Sequence, residues 1–150
     1  MKLLVAVDFS DSSQKIIKYV KELAKVVSGK IWLVHVAEPD PDFVGYEVDP
    51  PEMRDVVARR FHKEHQQLQK LSEELRSEGV ECIALLVQGP TVETILHEIE
   101  RLSVDLVVLG SHGKGILRHL LVGSTSEGVL KNSSIPILVV PTHGRTSGKE

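Results

Sequence analysis

Five short runs of Val, Ile and Leu punctuate the chain, at Leu3–Val7, Ile31–Val36, Val80–Val87, Val104–Leu109 and Ile135–Val140. They alternate little between apolar and polar positions, which marks strands covered on both faces. Between them the period becomes helical. Ile16, Val20, Leu23, Ala24 and Val27 form one apolar stripe, with Lys15, Lys18, Lys21, Glu22 and Lys25 on the other faces. Ser28-Gly29 reads as its stop. A second stripe, Val92, Ile95, Leu96, Ile99 and Leu102, is introduced by Gly89-Pro90, with the proline suited to a first helical turn. Glu38 to Pro51, dense in prolines and acids, reads as an irregular loop, expected to be mobile from Asp40 to Pro51 without ligand. Met53, Val57, Phe61, Leu68, Leu71 and Leu75 then mark a helix running to about Glu78, roughly 26 residues and about 39 Å long. His65 falls on that stripe and reads as a partly buried histidine; with His62 alone nearby, a metal site is the weaker reading.

The order β-α-β-loop-α-β-α-β-α-β demands crossover connections, hence a parallel sheet between layers of helix. One α/β domain spans 1–150, closing in a polar tail at about 142–150 that is expected to fray.

Composition narrows the function. At 150 residues and 41% hydrophobic, the chain can bury an ordinary core without staples. Its formal charge of −3 lacks the basic surplus of a nucleic-acid binder. No apolar run approaches the about 20 residues of a membrane helix. The opening Met1-Lys-Leu-Leu-Val-Ala-Val loses its apolar character at Asp8, short of the ~7–15 residues of a secretory core, so it reads as the first strand. The lone Cys82 sits within an apolar run and reads as a buried structural thiol. A soluble, cytoplasmic protein is expected.

Ligands of such sheets bind beyond the carboxyl ends of the strands. There the least ordinary stretch is Gly110-Ser-His-Gly-Lys-Gly, continued through Gly123-Ser-Thr-Ser-Glu. Gly110, Gly113 and Gly123 let backbone turn tightly and approach a ligand closely. Ser124 reads as a helix N-cap, with Glu127 completing a capping box. The amides of Thr125 and Ser126 at that helix start favour anions, the hydroxyls of Ser124 and Ser126 add donors, and Lys114, Arg118 and His119 add positive charge. Taken singly, these glycines make only loops and caps. No window fits a Walker P-loop, the turn after the first strand has no glycine for a dinucleotide fingerprint, and no Gly-x-Ser-x-Gly elbow exists.

Taken together, the spacing Gly110-x2-Gly113-x9-Gly123-Ser124 resembles the ATP-binding signature of the universal stress protein family. The opening strand ending in Asp8, the run Val104-Asp-Leu-Val-Val-Leu-Gly-Ser-His-Gly and the closing Ile135-Pro-Ile-Leu-Val-Val-Pro extend the likeness over nearly the whole chain. That resemblance implies a Rossmann-like domain of the adenine nucleotide alpha hydrolase type, with a five-stranded parallel sheet of order 3-2-1-4-5. It implies that Asp8 meets the ribose, that the backbone of Val36 meets the adenine, and that Gly110, Gly113, Gly123, Ser124, Thr125 and Ser126 surround the phosphates. ATP, accompanied by Mg²⁺, is the implied ligand, and a homodimer through the last strand the implied assembly.

The residues supply a phosphate cradle without an evident base for activating water, although His112 and His119 lie near. The expected role is a nucleotide-dependent stress-response binding module or switch. The alternative is a weak ATP hydrolase or adenylyl-transferring enzyme on the same fold.

Overall fold

The apolar runs become five parallel strands, and the helical stripes become the helices that connect them. The computed structural model describes residues 1–39, 51–112 and 122–142, with side chains described from Arg54 in the second stretch. In chain order the elements are β1 (Lys2–Ala6), α1 (Asp11–Val27), β2 (Lys30–Ala37), α2 (Pro51–Ser77), β3 (Glu81–Gln88), α3 (Thr91–Leu102), β4 (Leu106–Gly110), α4 (Ser124–Asn132) and β5 (Ile137–Val140). The sheet order is β3-β2-β1-β4-β5, as the resemblance implies. Leu3 of β1 pairs with Ile31 on one side and Leu106 on the other. Of the loop expected to be mobile, only Pro51 falls within the described residues, where it opens α2.

Strand alternation divides the core into two layers. Leu3, Val5, Ile31, Leu33 and Val108 pack with Ile17 and Val20 of α1 and with Leu68 and Leu75 of α2. Leu4, Val34, Val107 and Leu109 point the other way, against Ile95 and Ile99 of α3 and Val129 of α4. The central strand β1 is therefore buried on both faces, which is why its run carries no polar alternation.

The helix ends depart from expectation in informative ways. Ser28, not Gly29, adopts the left-handed conformation that closes α1. Gly29 is needed for a different reason: a Cβ there would collide with Cδ1 of the fully buried Leu3. Pro90 is the N-cap of α3, outside its first turn, and its carbonyl accepts from Thr94 N at 2.9 Å. Thr142, assigned to the fraying tail, is 4% exposed and tied to the loop after β4.

Cys82 is buried in the layer beneath α2, as the sequence suggests. Burial pushes its thiol up from 9.0 to about 11, against an opposing pull from Arg76. The raised value has two consequences. At pH 8 the folded protein should react negligibly with a thiol-specific disulfide reagent, and one equivalent should react after denaturation. Because the native thiol keeps its proton while the unfolded one loses it, stability should hold below pH 9 and fall as pH rises towards 11. Native-state labelling at the rate of free cysteine would contradict this placement.

Candidate functional site

A cavity of about 470 Å³ opens where β1, β2 and β4 end. It forms because α1 leaves β1 towards one face of the sheet, while α4 packs on the other after β4. Two parallel neighbours whose chains depart in opposite directions leave a crevice between them.

At the centre of the crevice stands Asp8, in the turn between β1 and α1. Its Oδ1 accepts three hydrogen bonds, from Ser10 N at 3.0 Å, Ser10 Oγ at 2.6 Å and Ser13 Oγ at 3.3 Å. This Asx-type arrangement fixes the carboxylate and shapes the turn. The next residue, Phe9, sits in the left-handed region at φ 60° without being glycine. Such a conformation costs on the order of 1–2 kcal/mol and persists only where its surroundings enforce it. Here the Phe9 ring lies against His35, centroids 4.2 Å apart. His35 is 6% exposed, and its Nδ1–H donates to the Val7 carbonyl at 2.8 Å. The end of β1 is thus braced by the end of β2.

The second wall comes from the end of β4 and the start of α4. Gly123 is the N-cap, and the first intrahelical bond runs from Glu127 N to its carbonyl at 2.9 Å. The amides of Ser124, Thr125 and Ser126 precede that ladder and give the cavity a partial positive charge. The expected capping box does not form. Glu127 instead pairs with Lys131 at 2.6 Å, and that lysine holds its carboxyl below the usual range. With Gly123 as N-cap, Ser124 lies one residue too far along to cap.

The Ser126 hydroxyl is also committed within the protein: it donates to the Gly110 carbonyl at 2.6 Å and is buried. Both glycines of this wall are packed against their own chain. A Cβ on Gly110 would lie 3.0 Å from Thr142 Cγ2 and 3.1 Å from Ile16 Cδ1. One on Gly123 would lie 3.1 Å from the Ser111 carbonyl, to which Gly123 N already donates at 2.6 Å. Ser111, His112 and Thr142 complete the brace. The Thr142 amide donates to Ser111 Oγ at 3.0 Å, and the His112 amide to Thr142 Oγ1 at 3.2 Å.

The third wall is α2. Arg60 and Glu64 face the cavity beside Glu38, which follows β2. Arg60 Nη2 donates to the Glu38 carbonyl at 2.7 Å, and the Thr91 hydroxyl donates to the Glu38 carboxylate.

Of the eight residues singled out from the sequence, seven line this one cavity: Asp8, Val36, Gly110, Gly123, Ser124, Thr125 and Ser126. Gly113 lies outside the described residues, as do Lys114, Arg118 and His119. His65 is exposed, which corrects the expectation of burial; the packed face of α2 carries Leu68, Leu71 and Leu75, and four residues before Leu68 it carries Glu64. The sequence reading passed over Glu64 and Arg60. The signal for Glu64 was an acid at a stripe position of an amphipathic helix.

Comparison with known proteins agrees with the architecture. The sequence profile described as the universal stress protein family matches residues 1–141. The universal stress protein MJ0577 of Methanocaldococcus jannaschii is 27% identical, covering 93% of either chain. YxiE, a universal stress protein of Bacillus subtilis, is 28% identical over 93% of this chain and 97% of its own. The solved structure of MJ0577 superposes with a TM-score of 0.81 at 28% identity, covering 95% of this chain and 96% of that one. Two more distant structures share the fold. A universal stress protein in complex with cAMP has a TM-score of 0.67 at 19% identity, covering 95% and 98% of the two chains. One from Archaeoglobus fulgidus in complex with dAMP has a TM-score of 0.62 at 21% identity, covering 93% and 96%.

The packing of Gly123 yields a stability prediction independent of any ligand. Gly123→Val should lower unfolding stability by about 1–3 kcal/mol, the cost of overpacking against backbone that cannot rotate away. Urea denaturation measures it. Stability equal to the parent would show that the Ser111–His112 segment yields freely.

Proposed function

The chain belongs to the universal stress protein family, and from that premise we propose that its cavity binds ATP, making the protein a nucleotide-dependent stress-response module. One observation carries this reading. The open amides of an α-helix face the same crevice as a fixed carboxylate, at the point where the strand order reverses. Anions gather at the former, and sugar hydroxyls donate to the latter. The phosphates accordingly lie over Ser124, Thr125 and Ser126, contacted at Ser126 through its amide because its hydroxyl serves Gly110. Gly110 and Gly123 line this end, packed against Thr142, Ile16 and the Ser111 carbonyl, and Gly113 lies between them in sequence. The ribose lies on Asp8, whose three donors among the described residues all address Oδ1 and leave Oδ2 to the ligand. The base lies along Val36. That relatives of this fold are described with cAMP and dAMP supports an adenine nucleotide as the ligand class.

Magnesium enters as the counter-ion carried by the triphosphate. Among the described residues no three His, Cys, Asp or Glu side chains gather into a metal site. No helix among them is long and apolar enough to cross a membrane, and the single buried thiol supports a reducing, cytoplasmic setting. The role is binding; ATP turnover measured beside ATP affinity is expected to stay at the background rate.

The same reading includes a homodimer. Among the described residues β5 has one strand neighbour, β4, and its Leu138 is 40% exposed. An apolar edge strand invites pairing, and two copies set antiparallel across a two-fold axis satisfy both edges at once.

Two measurements test these proposals. Thr125→Asp places a negative charge at the start of α4, which favours the helix but repels phosphate. It should leave the urea midpoint unchanged or raised, weaken ATP at least tenfold, about 1.4 kcal/mol, and spare adenosine. Unchanged ATP affinity would remove the phosphates from α4. In sedimentation at micromolar concentration the parent should run as a dimer and Leu138→Lys as a monomer. A monomeric parent would refute pairing through β5.

A further inference from the structure

We propose that Glu64 determines which base the cavity accepts, its carboxylate taking a hydrogen bond from the exocyclic amine of a 6-aminopurine; this rests on the nucleotide reading above. The observation behind it is a shielded carboxylate without a hydrogen bond among the described residues. The Glu64 side chain is 16% exposed, and its neighbours stand off: Arg60 Nε is 3.6 Å from Oε1, and His35 Nε2 is 3.9 Å from Oε2. Both distances exceed a hydrogen bond. Among the described residues, Glu64 Oε2 and Arg60 Nε are buried polar atoms without a hydrogen-bond partner. Shielded carboxylates ordinarily accept several donors, and one left without them is costly to keep. A donor brought by a ligand removes that cost.

Position says which part of the ligand supplies the donor. Along the edge of the sheet, β4, β1 and β2 lie in sequence. With phosphates over α4 beside β4 and the sugar on Asp8 after β1, the next group along the cavity lies beyond β2, under Arg60 and Glu64 of α2. The charges agree with this direction. Helix amides at one end attract a polyphosphate, while at the other the two carboxylates of Glu38 and Glu64 outnumber the single Arg60 guanidinium among them. An ionised carboxylate accepts only, so it favours an amino group and gains nothing from a bare C–H edge. Rotation about the terminal torsion of Glu64 is soft and turns an oxygen towards the cavity at little cost. Arg60, anchored through Nη2 to the Glu38 carbonyl, keeps Nε–H for an adjacent ring nitrogen. Donor beside acceptor is the edge that a 6-aminopurine presents.

The test compares ATP with purine riboside 5′-triphosphate, which keeps the ring, ribose and phosphates and lacks only the amine. The unmodified chain should bind ATP at least tenfold more tightly, because a site built around a buried polar group discriminates strongly against an analogue that leaves it unpaired. Glu64→Met, of similar length and without an acceptor, should bring ATP down to the affinity of the analogue and leave the analogue within about twofold of its parent value. Equal binding of the two nucleotides by the unmodified chain overturns the proposal, whether or not the variant folds. So does an equal loss of both in Glu64→Met. If neither nucleotide binds the unmodified chain, the nucleotide reading itself falls and takes this inference with it, an outcome distinct from equal binding.

Discussion

The opposed departure of two chain segments from neighbouring parallel strands shapes everything at this edge of the sheet. β1 and β4 lie side by side in register, so their carboxyl ends arrive at the same level. α1 then packs under one face and α4 over the other. No side chain is needed to hollow out the space between them; the connectivity does it. What the residues contribute is rigidity. Both layers of the core are anchored on β1, where Leu3, Leu4 and Val5 are fully buried, so the crevice opens from the least deformable part of the molecule.

Two walls of the crevice are stiffened by polar groups used internally. Asp8 organises its own turn, the Ser126 hydroxyl joins the start of α4 to the end of β4, and Thr142 joins the loop after β4 to the end of β5. The left-handed Phe9 shows that this order is enforced, since the turn holds a conformation an aromatic residue disfavours. The α2 wall differs. Its Arg60–Glu64 pair is long, and among the described residues Arg60 Nε and Glu64 Oε2 stay without hydrogen bonds, so polar capacity is left over on this third side.

Much of this was legible in the sequence, for identifiable reasons. Strands buried on both faces leave uninterrupted apolar runs, and helices on a sheet leave stripes, so element order and type followed from period alone. The sheet order came from the family resemblance, because periodicity does not say which strand lies next to which. The residues beyond the strands were found because topology places ligands there whatever they are. Local chemistry was harder. Ser124 and Glu127 match a capping box letter for letter, but the helix begins one residue earlier than the pattern assumes, and Lys131 offers Glu127 a partner one turn along. His65 drew notice as a titratable group near an apolar stripe, yet one step of 100° separates it from Glu64, which holds the inward position. A hydrophobic pattern scores an acid on the buried face as noise. Only the packing of α2 over the end of β2 shows it as signal.

The glycines at 110 and 123 bear on how such signatures are used in sequence surveys. Their missing side chains make room for Thr142, Ile16 and the Ser111 carbonyl, all parts of the same chain. At these two positions the pattern therefore records how the end of β4 and the start of α4 pack against their own chain. A chain that had exchanged Asp8 and Glu64 for unsuitable residues would still need small residues at 110 and 123 for this packing, and would go on matching the motif there long after losing its ligand. Assigning ligands across a large set of sequences is better done by scoring the polar groups that face the cavity than by the glycine spacing that frames it.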